Sequence, residues 1–305
     1  MKIVGIGGVC LENEHLEQLK NIATVTLHST TSTDEAEIIA QINDADILIS
    51  ALVKLSKNVL SNAPQLKLIV LATTGFDDVD LEAAQQKKIS VCYAPGYATQ
   101  AVAEHTIGLM LAAARLSFAA VTDLKQGIYD HCRYQGRELY GKKLGIIGYG
   151  RIGKRVAEMA QGGFAMQVRF VDQNSSRADL ESLLKDSDFI SLHVPLSPQT
   201  QNMIGERECA LMKDGVVFIN TARGGLVDEK ALLRYIQSGK IFGAGLDVLV
   251  QPIQKTNPLL QLPNVIVTPH MAYNSREALA QRSQIVVENI TRYLAGKPQN
   301  MVCKP

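Results

Sequence analysis

Short apolar runs and helical patterns alternate along almost the whole chain. KIVGI (2–6), DILIS (46–50), KLIVL (67–71) and ISVCY (89–93) read as strands, and EHLEQLKNI and DEAEIIAQI between them carry apolar residues at helical spacing. A second series follows: KLGIIG (143–148), QVRFVD (167–172), DFISLH (188–193), VVFINT (216–221), FGAGLDV (242–248) and NVIVTP (264–269), separated by RIGKRVAEMA, DLESLLKD, ERECALM and DEKALLRYIQSG. Strand–helix alternation implies parallel sheets, because a parallel neighbour is reached only through a crossover. Two series in 305 residues imply two α/β domains. The Ala- and Leu-rich stretch 99–127 predicts a helix that bridges them, and 275–296 predicts a helix, ending at Gly296 with Pro298 beyond, that crosses back to the first domain. The expected division is residues 1–98 plus 281–305 against 99–280.

Bulk composition narrows the functional classes. Hydrophobic residues make up 46% and charged residues 20%, as in ordinary globular proteins, and the formal net charge of +1 gives no electrostatic reason for nucleic acid or an anionic membrane as partner. No apolar run has the length needed to cross a bilayer, and the N-terminal MKIVGIGGVC is too short for the apolar core of a signal peptide. The five cysteines (Cys10, Cys92, Cys132, Cys209, Cys303) form no CxxC pair and fit reduced thiols, so a cytoplasmic location is expected. His15, His28, His105, His131 and His193 have no metal-ligand spacing, and no metal is expected.

KLGIIGYGRIG places Gly148, Gly150 and Gly153 as G-x-G-x-x-G between a strand and a helix. Gly148 permits a tight turn, Gly150 lets a pyrophosphate approach the backbone, and Gly153 allows the helix to pack on the strand. The amides of Arg151 and Ile152, opening the helix, would face the phosphates. Glycine-rich turns also arise for packing alone. The next strand, however, ends in Asp172, 19 residues after Gly153, where an acid accepts hydrogen bonds from ribose hydroxyls. A carboxylate there repels a 2′-phosphate and favours NAD over NADP, although Arg177 nearby could soften that preference.

Arg223, in INTARGGLVDEKAL, follows a strand at the end that faces the ligand crevice in a parallel sheet. Gly224 and Gly225 let the backbone turn closely there, and a guanidinium can bind carboxylate and keto oxygens together in a planar fork. A surface arginine steadying a loop is the plainer alternative. His270, in VIVTPH, also follows a strand, and an imidazole can give a proton to a carbonyl oxygen as hydride reaches carbon. A satisfied structural histidine is the alternative there.

With these residues in order, the sequence resembles the D-isomer-specific 2-hydroxyacid dehydrogenases over nearly its whole length. LKLIVLATTGFDDVDLEAAQQKKISVCYAPGYATQAVAEHTIGLML looks like that family's substrate domain and hinge helix, and GIIGYGRIG, SLHVPLSPQT, INTARGGLVDEKAL, GAGLDV and VIVTPH follow in family order. The segment HMAYNSREALAQR is most similar to glycerate dehydrogenases, also called hydroxypyruvate reductases. The resemblance implies two Rossmann-like α/β domains, a flavodoxin-like substrate domain and an NAD-binding domain, separated by a cleft. It also implies a small 2-keto or 2-hydroxy acid as substrate and a homodimer built through the cofactor domains. Arg223 would bind the substrate's carboxylate and keto oxygen, and His270 would act as general acid in reduction and base in oxidation. Arg151, Ile152 and Asp172 would hold pyrophosphate and ribose, and His193, Pro195 and Thr200 would line the cofactor groove. Thr221, Ala222 and Asp247 would lie near the nicotinamide, with Asp247 and Ala272 on its carboxamide side. Amides around Thr74 and Gly75 would receive the substrate carboxylate, and Val53 and Lys54 would lie in the loop closing one side of that pocket.

The chain departs from the family at one point. Members normally carry Glu shortly after the DV of GLDV, where it fixes the histidine's tautomer and favours imidazolium. Between Asp247 and His270 there is no Asp or Glu, and Gln251, followed by Pro252, is the residue expected in that place. Formate dehydrogenases of the same superfamily also set Gln opposite the histidine, but they carry Asn where this chain has Ala98. Gln251 can orient His270 but cannot stabilise its charge. Each lost unit of pKa elevation is about 1.36 kcal/mol, so reduction is expected to fall off at lower pH than in Glu-bearing relatives. Two further readings follow from the departure: an NAD(H)-binding module with little catalysis, and formate-like oxidation.

Overall fold

The computed structural model describes residues 1–29, 32–250 and 254–304. It divides into two compact units, Met1–Ala98 with Asn274–Pro305 and Thr99–Tyr273, each built on a six-stranded sheet. The sequence boundary at residue 280 falls inside a continuous helix, and the division precedes that helix because its Val286, Val287 and Ile290 belong to the core of the first unit.

The first unit runs β1 (Lys2–Ile6), α1 (Asn13–Lys20), β2 (Thr24–Leu27), α2 (Glu35–Ile42), β3 (Ile47–Ser50), α3 (Lys57–Ser61), β4 (Leu68–Leu71), α4 (Leu81–Gln86) and β5 (Ser90–Cys92). Asp34, Ser56 and Asp80 start α2, α3 and α4 by accepting hydrogen bonds from the amides of Ala36, Val59 and Ala83. Successive strand residues face opposite sides: Leu48 and Ile69 enter one core cluster, Ile47, Ile49, Leu68 and Val70 the other. Burial on both faces explains why these strands read as unbroken apolar runs. The sheet order is β2–β1–β3–β4–β5, closed at one edge by β12 (Met301–Cys303), which comes last in the chain.

The second unit runs α5 (Thr99–Ala114), α6 (Ser117–Lys125), β6 (Lys143–Ile147), α7 (Arg151–Phe164), β7 (Gln167–Val171), α8 (Arg177–Asp186), β8 (Phe189–Leu192), α9 (Glu206–Leu211), β9 (Val216–Asn220), α10 (Glu229–Gln237), β10 (Ile241–Leu246) and β11 (Val265–Val267). Its strands are all parallel, in the order β7–β6–β8–β9–β10–β11. α5 and α7 contribute to the core on one face, and α8, α9 and α10 to that on the other. The chain then returns to the first unit through α11 (Arg276–Leu294) and β12 (Met301–Cys303).

Three details differ from the sequence reading. The single helix expected over 99–127 is two, bent by 64°, with Leu116 in the left-handed region (φ 51°) between them. The Ala114 carbonyl, which a continuous helix would use, instead accepts the amide of Arg137 at 2.8 Å. The first sheet is not wholly parallel, because β12 pairs antiparallel with β5. β2 is an added edge strand whose residues are half-buried or exposed, which is why TVTL lacks an apolar run. No single helix among the described residues is long and apolar enough to cross a membrane.

Candidate active site

In the second unit the candidate residues fall on one edge of the sheet. Gly148 directly follows β6, Asp172 follows β7, His193 follows β8, Thr221 follows β9, Asp247 follows β10, and His270 comes three residues after β11. Because all six strands are parallel, these positions share the carboxyl edge, where open α/β sheets bind ligands.

Gly148 sits at φ +99°, and a Cβ there would lie 2.6 Å from the backbone carbonyl of His193, so the β6 turn passes directly over the end of β8. A Cβ on Gly153 would lie 2.1 Å from the Gly148 carbonyl oxygen, which accounts for helix and turn lying in contact. Gly150 differs: a Cβ there would meet nothing within 4 Å. It is the N-cap of α7, and no side chain caps the first turn of this 14-residue helix, which Arg151 and Ile152 open. That is the geometry an anionic diphosphate requires.

Beside this turn lies a groove of about 1230 Å³ lined by Gly148, Gly150, Asp172, His193, Pro195 and Thr200 among others. Asp172 is half-buried, and its Oδ1 accepts the Asn174 amide at 2.9 Å. His193 Nε2 lies 2.9 Å from Ser191 Oγ, and burial pushes the imidazole down to about 4, so it is neutral near pH 7. Thr200 Oγ1 donates to the Pro195 carbonyl at 2.8 Å and accepts the Ser197 amide at 2.8 Å, which holds the groove wall in shape. Arg177 also lines the groove, but its Nη2 donates to Glu208 Oε1 at 2.7 Å.

At the β9 end, buried Asn220 organises the turn: its Oδ1 accepts the Ala222 amide at 3.0 Å and its Nδ2 donates to the Arg223 carbonyl at 2.8 Å. The Arg223 guanidinium donates back to the Ala222 carbonyl at 2.9 Å. A Cβ on Gly224 would lie 2.2 Å from the backbone of Leu249, so the first glycine of the pair serves a backbone crossing. Thr221 is buried, with its hydroxyl 2.9 Å from that of Thr106 on α5.

Asp247 has no solvent exposure. Its Oδ1 accepts the Thr268 hydroxyl and the Met271 amide, its Oδ2 accepts the Ala272 amide at 2.9 Å, and its backbone carbonyl accepts the His270 amide at 2.9 Å. Burial alone would raise this carboxyl, but the neighbouring His105 and hydrogen bonds from the Thr268 hydroxyl and the Ala272 and Met271 amides outweigh it and hold it below the usual carboxylate range. His105 Nε2 lies 3.6 Å from Oδ1 and 3.1 Å from Thr268 Oγ1. The result is a clamp around His270, which sits at φ +52° with its ring edge-on to Tyr273. A non-glycine residue in that region needs surrounding structure to hold it there. His105, Thr106, Asn220 and Thr268 were not read from the sequence; the only available signal was their place beside named motifs. Gln251 lies outside the described residues.

In the first unit, Thr74 and Gly75 follow β4 and Val53 and Lys54 follow β3, again after carboxyl ends. Thr74 is exposed, with its hydroxyl donating to the Ala94 carbonyl at 3.2 Å, and Thr73 Oγ1 donates to the Gly75 carbonyl at 2.7 Å. Lys54 is exposed, whereas the Val53 side chain is buried in the core. Val53 could therefore offer a ligand only its backbone. No group of three or more His, Cys, Asp or Glu able to hold a metal occurs among the described residues.

This arrangement defines a nucleotide-binding α/β unit with an imidazole and a guanidinium on its ligand edge, and the known proteins it resembles agree. Residues 107–272 match the family profile described as D-isomer specific 2-hydroxyacid dehydrogenase, NAD binding domain. The chain is 41% identical over 308 residues to a D-3-phosphoglycerate dehydrogenase of Methanocaldococcus jannaschii, covering 97% of this chain but only 58% of that protein's length. It is 41% identical over 277 residues to a glycerate dehydrogenase of Methylorubrum extorquens, covering 87% and 88%. A solved structure described as D-lactate dehydrogenase from Aquifex aeolicus, complexed with NAD and lactic acid, has TM-score 0.86 at 32% identity and 100% coverage of both chains. The chain belongs to the D-isomer specific 2-hydroxyacid dehydrogenase family.

Proposed function

We propose that the chain is an NAD-dependent oxidoreductase that interconverts a small 2-keto acid of the glyoxylate or hydroxypyruvate kind and its D-2-hydroxy acid. The observation that carries this reading is the Asp247 clamp, which fixes His270 on the same sheet edge as the open Gly150 turn and Arg223. The groove, the uncapped helix and Asp172 suit a dinucleotide, with Arg151 and Ile152 holding its phosphates and Thr221, Ala222, Asp247 and Ala272 at its nicotinamide end. When bound, NADH supplies the hydride that reduces the keto carbon. Arg223 binds the carboxylate and keto oxygen, which draws charge toward that oxygen. His270, as imidazolium, gives it a proton and takes one back in oxidation. The glycerate dehydrogenase relative supports a short hydroxylated acid.

The test is loss of NADH absorbance with glyoxylate, hydroxypyruvate, pyruvate and 3-phosphohydroxypyruvate. Turnover of one of the first two, reduced at least 10²-fold by Arg223→Ala, is expected. NADH binding without turnover on any of them would replace this reading with that of a binding module.

The assembly we infer is a cytoplasmic homodimer. Phe118, Val121 and Leu124 of α6, followed by Ile128 and Tyr129, are exposed apolar residues, the helical ones at three-residue spacing. A stripe of this kind on a water-facing helix is suited to a second copy of the chain.

A further inference from the structure

We propose that Glu208 sets the coenzyme preference of this chain by holding Arg177 away from a 2′-phosphate. The proposal rests on the cofactor reading above and adds a residue to it. Read from sequence, the loop after β7 is ambiguous, because Asp172 opposes a 2′-phosphate and Arg177 could soften that preference; Ser175 and Ser176 lie between them.

In the structure each of those side chains already has a partner. Ser175 Oγ accepts the Asp172 amide at 3.0 Å and lies 3.4 Å from Asp172 Oδ1. Ser176 caps α8 in a reciprocal box with Asp179, its hydroxyl donating to that carboxylate at 2.7 Å. Arg177 Nη2 donates to Glu208 Oε1 at 2.7 Å, and Arg177 Nε lies 3.5 Å from Glu181 Oε1. Glu208 is only 9% exposed, and its other oxygen accepts the Gly205 amide at 3.1 Å to start α9. Fixed on both sides, it cannot swing away with the arginine.

Glu208, Asp172 and Arg177 all line the groove. A 2′-phosphate entering there must compete with the Glu208 carboxylate for the Arg177 guanidinium, and it does so in a groove lined by two carboxylates. A 2′-hydroxyl meets neither cost. The site discriminates through repulsion and a pre-engaged donor, not through a contact to NAD alone.

The test measures Kd for NADH and NADPH on the full chain by the rise in nicotinamide fluorescence; the chain has no Trp to interfere. Wild type should bind NADH more tightly. Glu208→Gln keeps an oxygen for the Gly205 amide but loses the charge, and it should shift the NADPH-to-NADH ratio toward NADPH by about tenfold, the scale of one freed charged hydrogen bond. Adding Arg177→Ala to Glu208→Gln should return most of that shift. A ratio within twofold of wild type in Glu208→Gln, or a gain that survives loss of Arg177, overturns the proposal. If thermal melting shows that Glu208→Gln does not fold, Glu181→Gln carries the test, with a smaller shift of the same sign expected and an unmoved ratio overturning it. Failure of wild type to bind NADH would instead sink the cofactor reading itself.

Discussion

Asp247 is a fully buried carboxylate that stays ionised because its hydrogen bonds are donated by the turn that carries His270. Asp247→Asn offers one acceptor oxygen where two are used, and leaves a buried amide of Met271 or Ala272 facing an N–H. It should cost about 1–3 kcal/mol of stability. It should also lower kcat about 10²-fold while NADH still binds, since a small misplacement of an acid group has effects of that size. Melting curves and steady-state kinetics check both; an unchanged kcat would show that the clamp does not position the imidazole. Gln251→Glu should move the acid-base limb of the pH–rate profile of reduction to higher pH, and a limb that stays in place would refute the expectation drawn from the missing carboxylate. The placement of Arg223, His270 and Asp247 at the carboxyl edge was legible because each stands beside a strand in a distinctive motif. His105 was not, because its contact with Thr268 spans 163 residues and no local pattern encodes it.

At the level of elements, the first two glycines of the turn make opposite predictions. Gly148→Ala places a side chain at φ +99° against the His193 backbone and should destabilise the unit by more than about 1 kcal/mol. Gly150→Ala, at φ −78° with open space around it, should leave the melting temperature in place and weaken NADH binding on the order of tenfold, as expected where backbone must approach a pyrophosphate. Calorimetry with a coenzyme titration separates the two; equal loss of stability in both would mean that Gly150 serves packing. On α6, Phe118→Asp with Leu124→Asp should convert a dimer to monomers in sedimentation without loss of helix content, and an unchanged mass would remove that face from the interface. Most elements of both sheets were legible because strands buried on two faces read as apolar runs. The α5–α6 break was not, since it depends on Arg137 taking the Ala114 carbonyl from 23 residues away, with no Gly or Pro to announce it. β12 was missed because a three-residue edge strand has no period of its own.

For the molecule as a whole, two units with separate cores need not unfold together, so one global midpoint is a poor probe of either. Amide exchange at β6 and β8 reports on the second unit alone, and His193 makes its stability depend on pH. Burial lowers that imidazole from 6.5 to about 4, so the unfolded chain binds more protons than the folded one between those values. Its contribution is therefore complete above about pH 6.5 and declines as pH falls toward 4, by an amount on the order of 1–3 kcal/mol. Asp247, whose carboxyl is held below its usual range, adds a loss in the same direction that begins as pH falls into the ordinary carboxylate region and continues below it. The two are separable by their windows. His193→Gln should flatten the decline in β6 and β8 protection between pH 7 and pH 4.5 and leave the steeper loss at lower pH, and parallel profiles for variant and wild type would show that the buried imidazole is not what couples this unit to acid.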